Sequence, residues 1–343
     1  MSIPNFPTRK IGTDTVSAMG WGAMGLSGYY GSIASDEERL KFLDDLYETG
    51  CTMWDSANVY ADSEDLIGKW FKRSGKRSEI FISTKVGIAH QPGRPSIGTP
   101  EYIKENAERS LKRFGVDQID LYYLHRPDPQ VPIEISVAAM AEFVKAGKIR
   151  YLGLSECTAS TIRRAHAVHP ITAIQVEYSL FALDVEQPGI DILKTARELG
   201  IAIVAYSPLG RGMLTGRFKS PDDFEKDDFR LTIPRFSHEN FPKVLKIVDA
   251  VKAIAAKHNA TPGQIALAWL LEQGEDIIPI PGTRSTKNLY ENLGALKVKL
   301  SKEDIEQVRK IAEEAHNNLD TRYSLAGMNM VMIDTPPLES YKA

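Results

Sequence analysis

Met53-Trp54-Asp55-Ser56-Ala57-Asn58-Val59-Tyr60 is the stretch on which the reading of this chain turns. An apolar run ends in a carboxylate, and a phenol follows shortly after. Two later runs repeat the pattern. Ile80-Phe81-Ile82-Ser83-Thr84 stops at Lys85, and Ile119-Asp120-Leu121-Tyr122-Tyr123-Leu124 stops at His125. Short apolar runs rich in β-branched and aromatic residues read as buried parallel strands. Set side by side, these three bring Asp55, Tyr60, Lys85 and His125 to one end of one sheet, the end where α/β enzymes keep their chemistry.

The same alternation continues outward. Towards the N-terminus, Thr8 to Val16 turns around Gly12 and predicts a short hairpin, and Ala18 to Gly25 predicts a first strand running into a glycine-rich loop. Ser35-Asp36-Glu37-Glu38 predicts the capped start of a helix with Leu40, Leu43 and Leu46 on one face. Helices are then expected over 63–71, 100–114, 133–146, 159–168 and 190–199, each after a strand. Further strands are expected at 150–154, 174–176, 201–206 and 277–280. Eight strands alternating with helices predict a (β/α)8 TIM barrel with an N-terminal β-hairpin and long loops at its C-terminal mouth. With no Pro-, Gly- or Ser-rich linker, 1–343 reads as one domain: a barrel over about 17–300 and a C-terminal helix and tail over 301–343.

Two stretches fall outside the repeat. Met213 to Asn240 is polar and aperiodic, the pattern of a functional loop or lid. The Met-rich tail from Asn317 to Ala343 either folds over the mouth or is a poorly ordered end.

Composition narrows the function. Hydrophobic content of 43%, charged content of 25% and a net charge of −3 suit a globular enzyme, with no field to attract nucleic acid or an anionic membrane. The only cysteines, Cys51 and Cys157, read as buried thiols in a reducing compartment. With no signal-peptide-like start and no apolar run of about 18 residues, a cytoplasmic protein is expected. No metal-ligand cluster is legible, and nothing bears on oligomeric state.

Taken singly, each rim residue has a structural role open to it. Asp55 could cap a turn, Tyr60 could be a half-buried aromatic, Lys85 could be solvated and His125 could be a satisfied core histidine. Their joint placement points to proton donation by a phenol. Free tyrosine, with a pKa of about 10, is a poor acid at neutral pH unless its anion is stabilised. A lysine ammonium beside it would do that, and a carboxylate would keep the lysine charged. The histidine would donate a hydrogen bond to a substrate carbonyl or help move the proton. Such a site polarises a carbonyl but supplies no hydride, which points to a nicotinamide cofactor.

Two loops suit that cofactor. In Tyr206-Ser207-Pro208-Leu209-Gly210-Arg211-Gly212 an aromatic ring precedes a backbone-rich phosphate loop. Pro281-Gly282-Thr283-Arg284-Ser285-Thr286-Lys287-Asn288 leads into a helix as a second anion site. A Gly-x-Gly-x-x-Gly fingerprint is missing after the first strand, so Rossmann-type binding is not expected.

Asp55 to Tyr60, Lys85, His125, Gly153-Leu154-Ser155, Gln175 and Tyr206 to Gly210 together resemble the aldo-keto reductase superfamily, over about Arg9 to Leu300. The 152–157 and 280–283 segments are similar to its microbial and fungal branch, which includes pyridoxal reductase-like and broad aldehyde reductases. The resemblance implies a barrel with NADPH extended across the mouth, NAD being the lesser fit, and a small carbonyl substrate. It implies a catalytic tetrad of Asp55, Tyr60, Lys85 and His125, with Tyr60 the proton donor. Ser155 and Gln175 would bind the carboxamide, Tyr206 would stack on the nicotinamide, and Ser207, Leu209 and Gly210, continuing through Arg211 and Gly212, would hold the pyrophosphate. Gly22 and Met24 would border the cofactor from the first strand. Thr283, Arg284, Asn288, Glu291 and Asn292 would hold the adenosine end. Three departures stand out: Glu156 where many members carry Asn, Asn288 where Arg is frequent, and Gly282 where Lys is frequent. The first implies that the contact beside Ser155 is made differently or not at all; the other two place the 2′-phosphate on Arg284.

Two other classes fit parts of the pattern. Some relatives are channel subunits, so the barrel could hold NADPH as a sensor with little turnover. A phosphate-binding isomerase or aldolase could use Lys85 as a Schiff-base amine.

Overall fold

In the computed structural model, which describes residues 6–91 and 93–341, the N-terminal hairpin forms as expected. Strands β1 (Thr8–Ile11) and β2 (Asp14–Ser17) pair antiparallel, and Ile11 and Val16 plug one end of a barrel. The barrel strands follow in parallel: β3 (Trp21–Gly22), β4 (Met53–Asp55) and β5 (Phe81–Val86). A hairpin excursion, β6 (Ile88–Gln91) and β7 (Arg94–Ser96), interrupts them. The barrel resumes with β8 (Ile119–Leu124), β9 (Ile149–Ser155), β10 (Ile171–Glu177), β11 (Ala202–Tyr206) and β12 (Ile277–Pro279). The eight barrel strands run in the order β3-β4-β5-β8-β9-β10-β11-β12. Gly20 N donates to Pro279 O at 2.9 Å, and Gly22 bridges to Gly282, so the last strand closes on the first.

Register decides what each strand offers the interior. Asp55 lies opposite Ser83, Lys85 opposite Tyr123, Tyr123 opposite Gly153 and Ser155 opposite Gln175. Side chains alternate along a strand. Met53, Phe81, Leu121 and Tyr123 therefore fill the barrel, while Trp54, Ile82 and Tyr122 face the helices. Gly153 leaves the space that the Tyr123 ring occupies: a Cβ there would lie 2.4 Å from it.

Around the strands lie α1 (Asp36–Glu48), α2 (Ser63–Ser74), α3 (Pro100–Phe114), α4 (Ile133–Lys145), α5 (Ala159–Val168), α6 (Ile192–Glu198), α7 (Phe241–Lys257), α8 (Pro262–Leu271), α9 (Thr286–Gly294), α10 (Lys302–Asn318) and α11 (Leu325–Met328). The capping box of α1 forms: Ser35 accepts from Glu38 N, and the Glu38 carboxylate accepts from Ser35 N.

Three expectations change. The first strand shrinks to two residues, because Ala23 N turns to Asp55 O at 2.8 Å and Met24–Leu26 forms a 3-10 turn. The connection after β5, for which the sequence reading names no strands, holds the β6–β7 hairpin. Helices α7 and α8, to which the sequence reading assigns nothing, pack beside the mouth segment. In α8 almost every residue is buried, so no apolar stripe distinguishes a face.

The expected lid segment is a chain of short 3-10 turns: Gly210–Thr215, Pro221–Asp223, Phe229–Thr232 and Pro234–Phe236. The tail, described through 341, crosses the mouth. Beyond it, Cys157 bridges to Ile333, Ile133 N donates to Thr335 Oγ1 at 3.2 Å, and Arg164 donates to the Thr335 and Pro336 carbonyls. Both cysteines are buried, and burial pushes the Cys51 thiol up to about 12. Among the described residues no helix is long and apolar enough to cross a membrane.

Candidate active site

Backbone pairing carries the chain beyond β4 along β5 and turns it back over the barrel. Ser56 N donates to Ser83 O at 2.8 Å and Asn58 N to Lys85 O at 3.2 Å; then Tyr60 N turns to Ala57 O at 3.0 Å. This brings the Tyr60 ring over Lys85, whose Nζ lies 5.2 Å from its centroid. The His125 ring stands edge-on to Tyr60, with centroids 5.8 Å apart. Asp55, Tyr60, Lys85 and His125 thus meet at the C-terminal rim.

The hydrogen bonds of Lys85 do not go to the phenol. They go to Asp55 Oδ1 and to Ser56 O. The other Asp55 oxygen accepts from Ser83 Oγ and Gln175 Nε2, both at 2.8 Å. Burial pushes the Lys85 ammonium down, and Asp55 opposes that. Burial, and then the Asp55 carboxylate, push the Tyr60 phenol well up, while the Arg126 guanidinium acts to lower it. The phenol therefore holds its proton, with the Arg126 guanidinium acting against that. Burial, Arg126 and Lys85 hold His125 well below the usual histidine value, so its imidazole is neutral. Its Nδ1 is buried without a hydrogen-bond partner among the described residues.

Of the expected carboxamide ligands, Gln175 is turned to Asp55, and Ser155 Oγ accepts from Arg126 Nη1 at 3.2 Å. Tyr206 begins a loop of unusual backbone: Ser207, Gly210, Arg211 and Gly212 have φ of 49°, 54°, 57° and 90°. Leu209, at φ −101° and ψ 18°, is followed by left-handed Gly210, a change of hand of the kind that forms backbone concavities for anions. A Cβ at Gly210 would lie 2.5 Å from Phe181, so only glycine fits that turn. Across the mouth, Gly22 and Met24 end and follow the first strand. Arg284 and Asn288 are exposed, Thr283 and Glu291 partly so, and Asn292 is buried on α9. Arg284 donates through Nη1 to Ser32 O at 2.5 Å, and Thr283 Oγ1 accepts from Ser285 N. The loop and the guanidinium have the shape and charge a phosphorylated dinucleotide needs.

Glu156, the first departure, is bound by the tail. Arg322 Nη2 and Nη1 lie 2.9 and 3.2 Å from its two oxygens, and Nη1 also lies 3.2 Å from Glu177 Oε2. Tyr206 Oη donates to Glu156 at 2.9 Å and lies 3.0 Å from Tyr323 Oη. Arg211 pairs with Glu177 at 3.4 Å and sits over the Tyr323 ring.

The aldo/keto reductase family profile matches residues 18–313. The chain belongs to this family. It is 58% identical over 337 residues to aldo-keto reductase str7 of Strobilurus tenacellus, covering 97% of this chain and 98% of that protein. It is 50% identical over 339 residues to aldo-keto reductase yakc [NADP(+)] of Schizosaccharomyces pombe, covering 97% and 99%. Among solved structures, the glycerol dehydrogenase AKR11B4 of Gluconobacter oxydans superposes with a TM-score of 0.80 at 27% identity, covering 93% of this chain and 98% of that one. As an aldo/keto reductase the protein is an oxidoreductase.

In this aldo/keto reductase the sequence reading missed Arg126, Glu177, Arg322 and Tyr323. Arg126 had a signal, since it follows His125 directly. Arg322 and Tyr323 had none, because the tail has no periodicity. Trp21 and Phe181 are core residues. Tyr29 does reach the mouth, 6.0 Å from Tyr60 and bonded to Val59 O.

Proposed function

We propose that this protein is an NADPH-dependent reductase of aldehydes and ketones, a cytoplasmic enzyme in one domain, with Tyr60 as the proton donor. The observation that carries the reading is the convergence of the Asp55–Lys85 pair, the Tyr60 ring and the His125 ring at one rim.

Bound NADPH supplies the hydride that a carbonyl carbon accepts. The chain does the rest. Neutral His125 donates a hydrogen bond that polarises the carbonyl oxygen and fixes its place. As the C=O electron pair moves onto that oxygen, Tyr60 gives it the phenol proton and later regains one from solvent. The phenolate left behind faces two cations, Lys85 and Arg126. Asp55, with Ser83 and Gln175 behind it, holds Lys85 charged despite its burial.

Ser207, Leu209, Gly210, Arg211 and Gly212 would hold the pyrophosphate, and Tyr206 would stack on the nicotinamide. Ser155 and Gln175 would take the carboxamide, Gly22 and Met24 would border it, and Thr283, Arg284, Asn288, Glu291 and Asn292 would hold the adenosine end. Arg284 and the cofactor named for the fission-yeast relative favour NADP over NAD. The substrates would be aldehydes of a broad range, pyridoxal among those to test. The test is NADPH oxidation with an aldehyde panel, comparing wild type with Tyr60→Phe. The Tyr60 hydroxyl makes no hydrogen bond among the described residues, so the variant should keep its melting temperature. Its rate should fall about a hundredfold or more, and an undiminished rate would remove the phenol from the mechanism.

A further inference from the structure

Arg126 is 7% exposed and lies between the two expected ends of the reaction site. Its Nη1 donates to His125 O at 2.7 Å and to Ser155 Oγ at 3.2 Å. Its Nε and Nη2 donate to nothing among the described residues, and no carboxylate lies within 4.0 Å of it. A buried cation without a partner is costly. Of the other buried arginines at the mouth, Arg322 lies on Glu156 and Glu177, Arg211 on Glu177 and Arg230 on Asp228, while Arg235 is held by the Asp320 and Phe181 carbonyls.

The charges around Arg126 sharpen the point. Lys85 and Asp55 cancel. Glu156 and Glu177 face Arg322 and Arg211, two against two, with Asp184 further out at 4.0 Å from Arg322. Among the described residues Arg126 and Arg235 are left without a carboxylate partner, and of the two it is Arg126 that adjoins His125 and Ser155. Its bonds to His125 O and Ser155 Oγ set it at the reacting end of the mouth. The expected phosphate sites, at 207–212 and 283–292, are on other loops.

We propose that Arg126 is a substrate-specificity residue that binds an anionic group carried by the carbonyl compound, a carboxylate or a phosphate. The inference rests on the reductase reading above, since it places the substrate carbonyl at Tyr60 and His125. Guanidinium forks pair with both anions through parallel N–H donors, and Nε and Nη2 are the two donors still free. The anion would complete the site by supplying the negative charge that the fold withholds.

The experiment compares kcat/KM for matched pairs with NADPH in wild type and in Arg126→Met and Arg126→Lys. The carboxylate pair is 4-oxobutanoate against butanal; the phosphate pair is pyridoxal 5′-phosphate against pyridoxal. Wild type should prefer the anionic member of one pair by roughly tenfold to a hundredfold. Which pair shows the preference identifies the anion. Arg126→Met should erase that ratio, and Arg126→Lys should keep part of it, with the change carried mostly by KM of the anionic member. Equal losses for both members would show that Arg126 serves only the phenolate of Tyr60 and overturn the proposal, as would a wild type without preference in either pair. Failure of the reductase reading is separate, because it would show as no turnover of any member.

Discussion

Arg322 lies with both terminal nitrogens against the carboxylate of Glu156, at 2.9 and 3.2 Å, and neither side chain is more than 3% exposed. One residue belongs to the C-terminal tail and the other directly follows β9, so the pair ties the tail into the barrel mouth. Burial works against the Glu156 carboxylate, yet Arg322 and Arg126 hold it below the usual range. The phenol of Tyr206, the expected nicotinamide platform, hangs from the same pair.

Removing one member of a buried pair leaves a charge without compensation, at a cost of about 3–5 kcal/mol. Arg322→Met should therefore lower stability by that order in chemical denaturation, and should raise KM for NADPH by loosening Tyr206. Adding Glu156→Gln should recover much of the stability. If the double variant is as unstable as the single one, the pair is not what Arg322 contributes.

His125 sets a pH dependence whose sign is fixed by its burial. Its folded value lies well below the unfolded value near 6.5. Above that pH both states are neutral and the protein has its full stability. As pH falls below it, the unfolded chain takes a proton that the folded chain refuses, and stability drops by up to about 1.4 kcal/mol per pH unit. His125→Phe should flatten this slope between pH 6.5 and 5 in melting experiments. A slope unchanged by the substitution would mean that His125 is not the buried neutral group.

Arg284, bonded to the Ser32 carbonyl beside α9, is the cation available to a 2′-phosphate. Arg284→Ala should raise KM for NADPH several-fold more than KM for NADH. Equal effects on the two cofactors would move the phosphate elsewhere.

Gly153 faces Tyr123 with no room for a methyl group: the added carbon would lie 2.4 Å from the ring and 3.0 Å from Ala173 O. Overpacking of this kind costs about 1–3 kcal/mol. Because Tyr123 also packs near Lys85, 5.8 Å from Nζ to ring centroid, Gly153→Ala should lower both the melting temperature and the turnover rate. A variant as stable as wild type would mean that Tyr123 has another place to go.

Much of this was legible locally. Helices at 100–114 and 159–168 have the predicted bounds, because Pro100 and Thr158 open them and Gly115 and the His169–Pro170 step close them. The rim residues were legible for a similar reason: each stands at or just beyond the end of an apolar run. Helix α8 was hidden by its uniform burial, and the two-residue first strand by glycines that read equally as strand or turn. Glu156 stood out as a departure, but its partner is a tail arginine far away along the chain.

The sequence by itself determined the barrel and the four rim residues, since strand and helix periods and their end signals are properties of neighbouring residues. Only the tertiary structure decided which charges face each other: Lys85 bonded to Asp55 and not to the phenol, Arg322 on Glu156, Arg126 without a carboxylate. Those outcomes depend on distances of a few ångströms between strands and a crossing tail, and electrostatic energy in a buried site follows distance and burial, neither of which a linear pattern carries.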